Sequence, residues 1–139
     1  MSGEKIKEAL TLEDARRVIA AAEAKATELG VPQDIAVVDT GGHLKAHVRM
    51  DNANIGSIYI AMNKAYTSIA FQCQTADFSA ITRPDQDLYG LSDAHGGRLC
   101  VFPGGVPLVR NGQIIGAIGV STGTIQEDQA VALAGAAAL

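Results

Sequence analysis

With 139 residues, the chain has the length of a single domain, enough to bury a core without disulfides or metal staples. Hydrophobic residues make up 47% and charged residues 19%, which excludes a disordered chain, and a 4% aromatic content without Trp points to a core closed by Ala and Gly. A net charge of −4, with no basic patch and no helix-turn-helix or RNP-like pattern, argues against nucleic acid as a partner.

The opening MSGEKIKEAL is charged and carries no apolar run, and no window of about 18 apolar residues exists to span a bilayer. Cys73 and Cys100 lie far apart without CxxC spacing and read as buried free thiols in a reducing compartment. The expectation is one cytoplasmic domain, residues 1–139, with no membrane partner.

Thr11 and Asp14 form a capping-box pattern ahead of Leu12, Ala15, Val18, Ile19, Ala22, Ala26 and Leu29, an apolar stripe at helical spacing that Gly30 and Pro32 stop. A helix is predicted over 12–29. Residues 34–39 form a short apolar strand and Thr40-Gly41-Gly42 a turn. The next strand alternates, with Leu44, Ala46, Val48 and Met50 on one face and His43, Lys45, His47 and Arg49 on the other.

Asp51 to Asn54 offers helix-capping chemistry. The helix after it carries Ile55, Ile58, Tyr59, Met62, Ala65, Tyr66 and Ile69 on a bulky face, and Ser57, Ala61, Lys64 and Ser68 on its flank. Such a helix can be covered on both sides, by the sheet and by a neighbouring subunit. Residues 74–97 are the longest irregular stretch, and long structured loops in compact domains are often functional. Strands follow at Arg98–Phe102, Val106–Arg110 and Gln113–Ser121, the last two joined by an Asn111-Gly112 hairpin turn. Gly116 and Gly119 imply a close approach to the final strand. Thr124 and Glu127 form a second capping box, opening an Ala-rich helix. Hairpins dominate, so the sheet is expected to be antiparallel with helices packed on it.

Several residues carry candidate chemistry. His43 and His47 lie roughly 13 Å apart along a strand, too far to share one metal ion, and read as solvent-facing or interface histidines. No metal site is expected. Arg49 and Asp51 stand beside a helix N-terminus, a combination that binds a carboxylate or phosphate, unless Asp51 caps the helix and Arg49 pairs with it or with Asp39. Lys64 sits among small residues, where a desolvated lysine serves as a base, a nucleophile or a carboxylate partner; the alternatives are a snorkelling side chain or an intersubunit ion pair. His95, in SDAHGGR, has backbone freedom around it and reads as a proton shuttle, an axial ligand or a surface histidine. GVSTGT leads into the last helix but lacks the P-loop lysine. HExxH and paired-carboxylate motifs are absent, which disfavours the hydrolases built on them.

Together VVDTGGHLKAHVRMDNA, NKAYTSIAF, FPGGVPL and GQIIGAIGVSTGT resemble the haem-degrading/GlcG/HbpS-like family, which includes the C-terminal domain of PduO-type adenosyltransferases and OrfY-like proteins. The likeness covers nearly the whole chain. It implies a profilin-like α/β (α+β) fold, a central five-stranded antiparallel sheet flanked by helices, and homo-oligomers. It also implies a small-molecule ligand, with haem, a corrinoid or an anionic metabolite as candidates. The helix over 12–29 has no histidine, so axial ligation of haem would fall to His95 or a threonine.

Two functional readings follow. In a binding protein, Arg49, Asp51 and the helix N-terminus would hold a carboxylate while His95 contacts the cofactor. In a cofactor-independent catabolic enzyme performing isomerisation, hydration or elimination, Lys64, Asp39 or His95 would move the proton and Arg49 would orient the substrate. A scaffolding subunit without ligand is the third reading.

Overall fold

The computed structural model describes Gly3 and residues 7–139, so half of the opening MSGEKIKEAL lies outside the described residues. Both capping boxes close as their spacing predicts. Thr11 Oγ1 accepts from the Asp14 amide and Asp14 from the Thr11 amide, opening α1 (Leu12–Leu29), which ends on left-handed Gly30. After α1 come β1 (Asp34–Val38), β2 (Leu44–Arg49), α2 (Ser57–Phe71), 3-10 segments at Thr75–Phe78 and Leu91–Gly97, β3 (Gly105–Arg110), β4 (Gln113–Ser121) and α3 (Ile125–Ala136), which starts from Thr124.

The strands form one antiparallel sheet in the order β2-β1-β4-β3. It has four strands, not five. Residues 98–102 do not join it because side chains take up their backbone groups: the Cys100 amide donates to Thr67 Oγ1, and Ser79 Oγ donates to the Val101 carbonyl. Proline at 103 then removes a donor where a strand would need one.

Helices α1 and α3 cover one face of the sheet, burying Val18, Ala22, Val131 and Ala132 against Ile35, Val37, Ile118 and Val120. Helix α2 crosses the opposite face over β1, β4 and β3 and leaves β2 largely uncovered. Asn111 and Gly112 both have positive φ, as a tight hairpin between β3 and β4 requires. A Cβ on Gly119 would collide with the Ala61 carbonyl of α2, so the close approach expected at this strand is real.

That approach decides which side of α2 turns inward. Ser57, Ala61, Lys64, Ala65 and Ser68 face the sheet, while Ile55 and Tyr59 stay 75% and 70% exposed. The small face is therefore the core face; of the bulky one Ala65 and Ile69 are buried and Ile58, Met62 and Tyr66 half-buried. The expected capping by Asp51–Asn54 does not occur. Asn52 adopts a left-handed turn, Ala53 tucks into the interior, and α2 starts only after Gly56, without a side-chain cap.

The alternation of β2 is also broken. A bulge pairs Val37 with Ala46 but Val38 with Leu44, which moves Leu44 from the α1 face to the α2 face. Ala46 and Val48 keep the core side, and Leu44, His47 and Arg49 share the uncovered one.

Candidate functional site

Between α2, the uncovered face of β2 and the 95–98 loop lies a cleft of about 460 Å³, within the range of small-molecule sites. Val38, Leu44, Tyr59 and Met62 supply apolar walls, and Asn63 and Arg98 add polar groups. The bulge in β2 is what delivers Leu44 here.

His95, Gly96 and Gly97 all have positive φ, a tight left-handed turn that only its glycines adopt without strain. The turn sets the His95 ring against α2, where Nδ1 lies 2.9 Å from the Tyr66 hydroxyl and the ring tilts against Tyr66 and Phe71. On the same tyrosine, the Arg98 guanidinium stacks 3.5 Å from the ring centroid. Its donors make no hydrogen bond or ion pair among the described residues, so a stacked cation faces the cleft with its fork unused. Gly42 allows this packing, since a Cβ there would press on the Tyr66 ring.

The other sequence candidates lie elsewhere. Lys64 is wholly buried on the opposite side of α2, donating to Asp128 Oδ2 at 2.9 Å and the Val120 carbonyl at 2.8 Å, with Phe102 above it. Asp128 is completed by the Gly123 amide and, with its amide oriented to suit its neighbours, by Gln33. Burial pushes the Asp128 carboxyl up, and Lys64 opposes that shift. Asp39 accepts from the Gly41 and His43 amides and so shapes the β1–β2 turn, outside the cleft. Its imidazole neighbour is His43, at 3.4 Å.

Arg49 and Asp51 are exposed at the far end of β2 and pair neither with each other nor with Asp39 among the described residues. Across from Arg49 in the register stands Asp34, buried at the head of β1. Thr122 donates to its Oδ2 at 3.1 Å, and the Asn54 amide donates to Thr122. Thr122 holds a φ of 116°, a strained value for a β-branched residue.

The candidates thus divide among three places: His95 against Tyr66, one residue before the Gly96–Arg98 wall of the cleft, Lys64 in the interior, and Arg49 with Asp51 at the Asp34 end of the sheet. Sequence reasoning missed Tyr66 and Arg98. Tyr66 stood on a helix face assigned to packing, and the only trace of Arg98 was its position after the two glycines of HGGR.

Among the described residues, no helix is long and apolar enough to cross a membrane. The model of the haem-degrading HbpS-like protein family matches residues 10–137. An uncharacterized 15.0 kDa protein from the dhaT-dhaS intergenic region of Citrobacter freundii is 41% identical over 123 residues, covering 88% of this chain and 87% of that one. The corrinoid adenosyltransferase PduO of Salmonella typhimurium is 34% identical over 131 residues; the match takes in 94% of this chain but spans only 39% of that protein's length. A crystal structure of a PduOC:heme complex superposes with a TM-score of 0.89 at 34% identity, covering 94% of this chain and 95% of that chain. The chain belongs to the haem-degrading HbpS-like family.

Proposed function

We propose that this protein binds a flat, partly apolar, anionic small molecule in the cleft that Arg98 lines beside Tyr66 and His95, as a cytoplasmic homo-oligomer. The observation that carries the reading is the Arg98 guanidinium, unpaired among the described residues, stacked on Tyr66 beside apolar walls. Such a cation is placed to meet a carboxylate while Leu44 and Met62 hold the ligand body.

Haem fits the donor set. The Tyr66 hydroxyl fixes one ring nitrogen of His95 and leaves Nε2 as the free donor, the arrangement in which protein imidazoles serve as axial ligands. Arg98 would meet an acidic substituent of the macrocycle. Bound haem would supply iron redox chemistry and a Soret band; a corrinoid would use the same wall and cation. The heme complex of the PduOC structure supports this choice of ligand class. The exposed Tyr59 on α2 and Ile55 just before it support a self-association surface, and the free thiols Cys73 and Cys100 support a reducing compartment.

Absorbance titration of the purified protein with haemin tests the reading. A saturable Soret band that is lost in His95→Ala supports it. A response that neither saturates nor depends on His95 removes haem as the ligand.

A further inference from the structure

At the other end of β2 a buried pair has no part in the cleft. Asp34, 0% exposed, turns Oδ1 toward Nε2 of His47 at 3.4 Å, and neither atom has a hydrogen-bond partner among the described residues. The His47 side chain is 16% exposed, and its buried nitrogen is Nε2. Nδ1 makes no hydrogen bond among the described residues and is the outer nitrogen. His47 borders a hollow of about 420 Å³ along the free edge of β2, with Arg16 and Glu23 on its rim. Arg49, two residues along the same face, is exposed and close enough to act electrostatically on both members of the pair.

A sealed carboxylate behind an imidazole fixes its tautomer: Nε2 keeps the proton for Asp34, and the outer Nδ1 presents a lone pair. Thr122, itself held by the Asn54 amide, anchors the far oxygen of the carboxylate. The separation is long for a hydrogen bond, as such contacts often are before substrate tightens them. Burial pushes the His47 imidazole down, which keeps the ring neutral and able to accept a proton.

We propose that Asp34 and His47 form an acid–base dyad in which His47 Nδ1 takes a proton from the carbon beside the carbonyl of a short 2-oxo carboxylate held by Arg49. A neutral imidazole can deprotonate carbon only where a carbonyl acidifies it, and Arg49 selects an anion. In the step the C–H bond breaks, its electron pair moves into the enolate, and the proton rests on Nδ1. Its return, or that of a solvent-exchanged proton, to the same carbon restores the carbonyl and the neutral ring with no co-reactant. Asp34 is a positioning residue. The dyad stands independently of the ligand reading for the cleft.

Long-range proton–nitrogen NMR of the histidine rings reads the tautomer, and proton NMR of pyruvate in deuterium oxide reads the chemistry. The expected result is an Nε2-protonated His47 in the wild type, lost in Asp34→Asn. Loss of the pyruvate methyl proton signal should run about 100-fold or more faster with wild type than with His47→Gln. Arg49→Ala, at an exposed position, keeps the tautomer and requires higher pyruvate for the same rate. An Nδ1-protonated ring, or equal exchange with wild type and His47→Gln, overturns the proposal. Should Asp34→Asn fail to fold, the wild-type tautomer and the other two variants decide it alone.

Discussion

Replacing Lys64 by Met tests whether this lysine holds the fold together rather than doing chemistry. Its ammonium is fully buried, donates to Asp128 and the Val120 carbonyl, and lies 5.0 Å from the Phe102 ring centroid. Methionine matches the stem in length, so little volume is lost, but Asp128 keeps a buried charge with only Gly123 and Gln33 as partners. Removing one member of a buried pair costs about 3–5 kcal/mol, a large part of an ordinary domain's stability. Burial already raises the Asp128 carboxyl, and Lys64 is the chief opposing influence, so its loss raises it further. A group raised in the folded state loses its contribution as pH climbs through the folded value. The penalty in Lys64→Met should therefore be small near the ordinary carboxylate range and grow toward neutrality. Guanidinium unfolding at fixed protein concentration, at about pH 5 and about pH 8, measures both. Adding Asp128→Asn to Lys64→Met should recover about 1 kcal/mol or more at the higher pH. A loss below about 1 kcal/mol, or one indifferent to pH, would refute the structural role.

Gly119→Val should unfold the protein or cost more than about 4 kcal/mol in denaturant unfolding, because its first side-chain atom meets the Ala61 backbone of α2. Thr122→Gly and Thr122→Ala both remove the hydroxyl bound to Asp34, but only glycine relieves the positive φ. The glycine variant should therefore exceed the alanine variant by about 1–3 kcal/mol in chemical denaturation. For Asp14, the Arg110 guanidinium and the Thr11 amide hold the carboxyl well below the usual range. Asp14→Asn should thus lower stability above about pH 4, with the deficit against wild type closing as acid protonates the native carboxyl. Melting temperatures across an acid pH series check it.

The parts of the fold legible in the sequence are those fixed by neighbours along the chain. Thr11 with Asp14, Thr124 with Glu127, Gly30 and Asn111-Gly112 each satisfy local backbone groups, and each appears where its spacing placed it. Register is not local. One extra residue at Lys45 carries Leu44 to the other face of the sheet, and nothing in the alternation of β2 marks that slip. The inward face of α2 was hidden for a similar reason, since its small residues are selected by Gly119 of a strand far along the chain. Residues 98–102 have strand-like composition but spend their backbone groups on Thr67 and Ser79. His95 was visible as a loop histidine. Its partners Tyr66 and Arg98 become a unit only when the left-handed turn closes on α2.

The location of the ligand is the most direct test. Amide chemical-shift mapping with diamagnetic zinc protoporphyrin reports it residue by residue, whatever the affinity. Binding in the cleft predicts that the largest perturbations fall on Gly42–Leu44, Tyr59–Tyr66 and His95–Arg98, and that Arg98→Ala abolishes them. Perturbations centred instead on the apolar outer face of α3, around Pro103, Ile125 and Leu133, would contradict it.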